Sequence, residues 1–267
     1  MSWSAETYVK FERERTRPVD ELLARVETPD VRRAVDLGCG PGNSTERLCR
    51  RFPQAAVTGL DLSADMLAAA RRRLPDVGFT QADIADWRGS DGSLDVILAN
   101  ASLHWLGAHE TLLRHLLAAL APGGSLAVQM PDNLDEPSHR LMHEVAGDGP
   151  WADRLAQVSE ARAGQRAADW YYAQLAGLGA SVDLWRTTYF HALDGGADAI
   201  VAWVEGTGLR PYLAPLSAGE REQFLLRYRA AVARAYPEQP DGRVLLAFPR
   251  LFFVARVDPG RTQASSL

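Results

Sequence analysis

Lysine is almost absent from this 267-residue chain: Lys10 is the only one, so nearly all of its 29 basic residues are arginine. Arginine presents a planar fork of donors that grips carboxylates in pairs of bonds, where lysine offers a point charge. The basic residues are outnumbered by 34 acidic ones, for a formal net charge of -5. That balance disfavours a protein that tracks a nucleic-acid backbone, which needs a positive surface. Cysteine is scarce as well. Cys39 and Cys49 match no C-x-x-C or zinc spacing, which argues against a disulfide scaffold or metal site and fits a reducing cytoplasm. Long apolar runs are missing, so no membrane span is expected. The segment MSWSAETYVKFERERTRP is polar and lacks the apolar stretch of a signal peptide. No internal period is present, so a solenoid is not expected.

The chain does hold alternating strand and helix signals. Hydrophobic residues make up 46% of it, enough for one large core. Residues 34–37 form a short apolar run ending in glycines, followed by a helix from Ser44 to Phe52, capped by Ser44 or Asn43. A second strand runs over 56–60 to Asp61, and Ser63 caps a helix over 64–74. Residues 78–81, 94–99 and 125–130 are three further strands, with a helix over 109–121 stopped at Pro122-Gly123-Gly124. Strands alternating with helices predict a parallel sheet with helices on both faces, an α/β Rossmann-like fold. After Pro131 the rhythm changes. Residues 136–177 are mostly helical with a break near 147–150, 181–190 is a strand, and 197–205 and 218–236 are helices. The run 244–257 is β-prone, and Pro249 predicts an edge position or a bulge there. The expected layout is a single domain. Its core covers about 30–135 plus 178–192 and 244–257, and a helical cap is drawn from about 1–28, 136–177 and 193–240.

The ends of the first strands carry the chemistry. Rossmann-like sheets bind ligands at the carboxyl ends of the strands where the strand order switches. The glycine turn has the spacing Gly38-x-Gly40-x-Gly42, followed by Asn43 and Ser44, which departs from the dinucleotide fingerprint G-x-G-x-x-G. Asp61 ends the second strand, the place where an acid meets ribose hydroxyls. The alternative, hydride chemistry on a nicotinamide cofactor, is disfavoured by that glycine spacing.

The run Asp36-Leu37-Gly38-Cys39-Gly40-Pro41-Gly42 resembles motif I of class I S-adenosylmethionine-dependent methyltransferases, with Asp36 as the leading acid. Further segments resemble one family of these, the trans-aconitate 2-methyltransferases: Asn100 to Leu106, Gln129 to Asn133, Trp185-Arg186-Thr187-Thr188-Tyr189, Thr207-Gly208-Leu209-Arg210-Pro211, and Leu246 to Phe252. Phe11 to Pro18 also fits. The resemblance spans nearly the whole chain. It departs at His104, where the family carries glutamine, and no family match is drawn over 146–168. It implies a sheet of seven strands and S-adenosylmethionine as cofactor. Asp36, Gly38, Gly40, Gly42 and Asp61 would hold it. Leu62 and Met66 would line the adenine side, Asp83 would meet the adenine amino group, Ile84 would pack on the ring, and Asn100 would sit near the reacting centre.

The implied reaction is transfer of methyl to a carboxylate of trans-aconitate, a small-molecule tricarboxylate. A carboxylate is ionised at neutral pH and needs no general base, so no catalytic triad and no metal are expected. Positioning would carry the rate. A tricarboxylate needs cations, so Arg210 leads the candidates, followed by Arg186, Arg250, Arg15 and Arg17. His104, Trp105, Tyr171, Tyr172 and Tyr212 are candidate pocket wall. Tyr171 and Tyr172 are adjacent on a helix, so at most one can face a pocket. Two alternatives remain: a methyltransferase of another small acid or phenol, and a catalytically silent cofactor-binding protein. No Asn-Pro-Pro-Tyr-type motif stands at Asn100, which disfavours a nucleic-acid acceptor. The sequence leaves the oligomeric state open.

Overall fold

The computed structural model describes residues 12–90, 92–161, 165–205 and 207–260. Seven strands form one sheet: β1 (Arg33–Leu37), β2 (Ala56–Asp61), β3 (Gly78–Gln81), β4 (Leu94–Asn100), β5 (Leu120–Pro131), β6 (Ala180–Leu193) and β7 (Val244–Val257). Their order is β3-β2-β1-β4-β5-β7-β6. β1 lies parallel to β2 and to β4, with Val35 opposite both Thr58 and Ile97. β2 pairs parallel with β3, and β4 with β5. The chain therefore starts in the middle of the sheet, builds outward to β3, and returns to the other side of β1. That reversal makes the carboxyl ends of β1 and β4 the ligand crevice of such a sheet. β1 is buried from Ala34 to Leu37 and β4 from Val96 to Ala99, as suits central parallel strands.

The helices are α1 (Glu12–Ala24), α2 (Asn43–Arg51), α3 (Ala64–Arg73), α4 (His109–Ala119), α5 (Pro137–Gly147), α6 (Ala152–Ala161), α7 (Ala168–Gly177), α8 (Gly196–Glu205), α9 (Arg210–Leu213) and α10 (Ala218–Ala235). None in the described residues is long and apolar enough to cross a membrane. The chain divides into two compact units. The described parts of 1–130, 164–186 and 251–267 form the first, and 131–163 with 187–250 the second. Two of the helices expected in a cap, α1 and α7, fall in the first unit, and burial explains why. Val19, Leu22 and Leu23 of α1 are buried, and Tyr171 and Leu175 of α7 join the core cluster of Val35, Ile97, Leu116, Val128 and Phe253.

The second unit has its own core. Trp151 is fully buried against Phe224, with ring centroids 5.4 Å apart, and its indole N–H donates to the Val145 carbonyl. The Tyr228 hydroxyl donates to the Ser138 carbonyl, and the Ser138 N–H donates to the Tyr236 hydroxyl, tying α10 to α5. α10 starts with a capping box: the Ser217 hydroxyl accepts from the Glu220 N–H while the Glu220 carboxylate accepts from the Ser217 N–H. Ser217→Ala should cost about 1 kcal/mol of stability. Thermal unfolding should then show a midpoint roughly 2–4 °C lower.

Three local expectations are corrected. The helix over 109–121 ends at Ala119, because Leu120 already pairs with Leu94 ahead of a register shift in β4–β5. β7 runs between β5 and β6 and is no edge strand, despite Pro249. Proline removes only its own N–H; the Pro249 carbonyl still accepts from the Asp132 N–H at 2.9 Å. The residue capping α2 is Gly42, in a left-handed conformation with no side-chain bond, because the hydroxyl of Ser44 is engaged elsewhere.

Candidate functional site

The crossing from β1 to α2 is a tight glycine loop whose first N–H groups are held by β2. The N–H groups of Gly38 and Cys39 both donate to the Leu60 carbonyl, at 2.8 and 3.0 Å. Gly38 has φ of +75°, and a Cβ there would stand 2.5 Å from Cβ of Ser102. Gly40 also has positive φ, +53°, but no heavy atom lies within 4 Å of its missing Cβ. The first glycine is needed for packing, and the second leaves open space over its backbone.

Asp36 lies under this loop and is fully buried. Its Oδ2 accepts hydroxyl hydrogens from Ser44 and Thr45, both at 2.7 Å. Burial pushes its carboxyl up from an ordinary 3.8 to about 6, against the pull of those two hydroxyls; Asp61 adds a smaller push. The other oxygen, Oδ1, is buried with no hydrogen-bond partner. From the sequence Ser44 is only a possible helix cap, and Thr45 is assigned no role. The signal available was an acid inside an apolar strand, which needs donors close by.

Asp61, at the end of β2, is half-buried and spans loop and helix. Its Oδ2 accepts from the Gly40 N–H at 2.9 Å, and its Oδ1 from the Ser63 N–H at 2.8 Å. Each carboxylate oxygen keeps further acceptor capacity. Leu62 beside it is 64% exposed, whereas Met66 on the inner face of α3 is buried. After β3, Asp83 forms a local turn by accepting from the Ala85 N–H. Ile84 is buried, its Cδ1 3.3 Å from the position a Gly38 Cβ would take. These residues all belong to the first unit, and Gly38, Gly40, Asp61 and Ile84 are linked by the contacts above.

The end of β4 lies beside this loop. Asn100 ends the strand with its side-chain Oδ1 buried and unbonded, as are both polar side-chain atoms of Asn43 at the start of α2. Ala101 follows with φ of +53°. The Ser102 hydroxyl then donates to the Leu37 carbonyl at 2.7 Å, linking this loop to β1. His104 and Trp105 lie on a 3-10 turn, Leu103–Trp105, with ring centroids 4.7 Å apart; Trp105 is 41% exposed. Behind them, His109 is buried between the Leu103 carbonyl, 2.9 Å from Nε2, and the Tyr171 hydroxyl, 2.6 Å from Nδ1. Burial holds its pKa below the usual histidine value, with backbone bonding opposing. Ser102 lies in the segment that resembles the family, but the sequence assigns neither it nor His109 a role, since each makes its contact with a residue remote in sequence or with a carbonyl.

The acceptor-side candidates fall in both units. Arg17 is exposed on α1 and paired with Glu21, while Arg186 is exposed on β6. The side chain of Arg15, like Phe11, lies outside the described residues. Tyr171 is buried in the first unit's core, stacked on Phe253 at 5.6 Å, while its neighbour Tyr172 is 54% exposed. In the second unit, Arg210 is half-buried at the start of α9. Arg250 is buried, its guanidinium 4.8 Å from the Phe248 ring centroid. Tyr212, also buried, bonds the His143 ring through its hydroxyl, 3.0 Å from Nδ1.

A ligand rich in hydroxyls and carrying positive charge suits the strand ends. Buried acceptors without partners on Asp36, Asn43 and Asn100, the exposed-side capacity of Asp61, and the opening over Gly40 together fit S-adenosylmethionine.

Known proteins resemble this chain along its length. Residues 34–124 match the family described as "Methyltransferase domain". The trans-aconitate 2-methyltransferase of Methylobacterium nodulans is 58% identical over 254 residues, which cover 95% of this chain and 98% of that protein. A trans-aconitate 2-methyltransferase of Rhodopseudomonas palustris is 55% identical over 253 residues, again 95% and 98% of the two chains. Among solved structures, the YcgJ protein of Bacillus subtilis superposes with a TM-score of 0.61 at 12% identity, over 91% of this chain and 99% of that one. That likeness is one of fold. Identity above one half, held from end to end, decides the family: this chain belongs to the trans-aconitate 2-methyltransferases.

Proposed function

We propose that this protein transfers a methyl group from S-adenosylmethionine to a carboxylate of trans-aconitate, giving a monomethyl ester. The observation that carries the reading is the set of unbonded, buried acceptors on Asp36 and Asn100 at the ends of β1 and β4, in a chain of this family. When bound, the cofactor would supply a methyl on a sulfonium for transfer to a carboxylate oxygen, with the neutral thioether as leaving group. The protein's own work is to hold and orient. Asp61 would meet the ribose hydroxyls, Asp36 and Asn100 would meet donor groups of the cofactor, and Met66, Leu62, Asp83 and Ile84 would bound the adenine. No residue has to remove a proton, since the acceptor carboxylate is already ionised. Rate then follows from alignment and from keeping water off the reacting oxygen. The remaining carboxylates are anchored by arginine, with Arg210 first and Arg250 second.

The test is transfer of labelled methyl to trans-aconitate, beside cis-aconitate, citrate and a blank without acceptor. Selective esterification of trans-aconitate is the expected result. Cofactor binding with no transfer to any of these acids would remove the acceptor and keep the cofactor site. Arg210→Ala should raise KM for trans-aconitate roughly 10–100-fold, the loss of one charge-assisted pair. Titration calorimetry should show cofactor affinity unchanged. A KM equal to that of the parent would rule Arg210 out as an anchor.

A further inference from the structure

We propose that Ser102 and His109 are positioning residues for methyl transfer: they pin the loop from Asn100 to Leu106 against the glycine loop before any acceptor arrives. This rests on reading the strand ends as the cofactor site.

The loop is bracketed by two strained residues. Ala101 has φ of +53° and Ala108 of +50°, both in the left-handed region where a Cβ is unwelcome. Such a conformation costs about 1–2 kcal/mol per non-glycine residue and persists only where the surroundings dictate it. Four bonds dictate it here. The Ala101 N–H donates to the Gln129 carbonyl at 2.8 Å, fixing the exit from β4 onto β5. The Ser102 hydroxyl donates to the Leu37 carbonyl, the last residue before Gly38, and Ser102 Cβ fills the space that Gly38 leaves. His109 supports the far side. A carbonyl can only accept, so the 2.9 Å contact to Leu103 requires the proton on Nε2. Nδ1 then accepts from the Tyr171 hydroxyl, and Tyr171 is anchored in the core on Phe253. The neutral imidazole is thus a strut from the core to the carbonyl of Leu103, one residue before His104. Its depressed pKa keeps that neutral form in place.

The distinguishing experiment uses Ser102→Ala, His109→Leu and His109→Gln in the full chain. Glutamine offers one donor and one acceptor at about the spacing of the two ring nitrogens. Ser102→Ala and His109→Leu should lower kcat for trans-aconitate roughly 10–100-fold, as expected for a small displacement of a wall of the site. Cofactor Kd should stay within about threefold, and His109→Gln should recover most of the rate. Hydrogen exchange of the amides of residues 101–106, read with cofactor bound, should accelerate in His109→Leu and return in His109→Gln. Unchanged kcat with a lowered unfolding midpoint would overturn the proposal and leave both residues purely structural. So would a loss of kcat matched by an equal loss of cofactor affinity. If the parent protein fails to methylate trans-aconitate, the acceptor assignment falls. The exchange readout then decides this proposal alone, and unchanged exchange in the variants overturns it.

Discussion

Replacing Gly38 with alanine is expected to abolish cofactor binding and to lower the unfolding midpoint by roughly 10 °C, the product of about 3 kcal/mol and the usual sensitivity of a chain this size. Two costs add. A left-handed alanine costs about 1–2 kcal/mol, and forcing a methyl into an occupied space about 1–3 more. The space is occupied by Ser102, whose Cβ would be 2.5 Å away, and by Cδ1 of Ile84 at 3.3 Å. Ser102 cannot retreat without breaking its bond to Leu37. Gly40→Ala supplies the control. Its φ is also positive, yet nothing stands within 4 Å, so stability should fall by only about 1 kcal/mol. Cofactor affinity should fall at least about tenfold all the same, because the methyl projects into the opening where a ligand must approach the backbone. Thermal unfolding and titration calorimetry on both variants separate the two effects. A Gly38→Ala protein as stable as its parent would refute the packing argument. A Gly40→Ala protein that binds cofactor normally would refute the assignment of the loop.

That contrast also marks what the sequence makes legible. The three glycines of the turn, and Asp61 at the end of a strand, are visible because spacing along the chain dictates their place. The four parallel pairings follow from the same alternation. What stays hidden depends on contacts between distant segments. Gly38 and Gly40 look equivalent in the motif, and only the presence of Ser102, 64 positions on from one of them, tells them apart. His109 sits on an amphipathic helix where a satisfied core histidine is the ordinary reading, and its partner Tyr171 is 62 residues away. The interior place of β7 was obscured by Pro249, because the rule on proline concerns the donor it lacks, and the carbonyl is what β7 uses here. The candidate acceptor arginines are the least legible. Arginine is so abundant in this chain that identity alone cannot separate Arg210 from Arg17, which the structure shows paired and exposed.

The pH response of Asp36 should tie stability to cofactor binding. In the folded chain its carboxyl holds a proton up to about pH 6, whereas the unfolded carboxyl releases it near 3.8. Between those values the folded state binds more protons than the unfolded one, so stability falls as pH rises and levels off above about 6. The difference amounts to about 3 kcal/mol, carried as an unrelieved buried charge at neutral pH. Asp36→Asn removes that charge, while its carbonyl oxygen still accepts from Ser44 and Thr45. Denaturant unfolding from about pH 4 to pH 8 should therefore show a flatter profile in the variant, with stability at the upper end equal to or above the parent's. Cofactor binding should move the opposite way. A cationic ligand meeting Oδ1 favours the ionised acid, so parent affinity should weaken up to about tenfold per pH unit below 6. In Asp36→Asn affinity should be roughly 100-fold weaker at neutral pH and nearly independent of pH, since an acceptor facing the ligand has become a donor. A variant that keeps the parent's affinity would show that Asp36 only braces the loop. One that loses stability at high pH would show that the two hydroxyls need the full charge, and that the buried carboxylate stabilises the fold as well as serving the site.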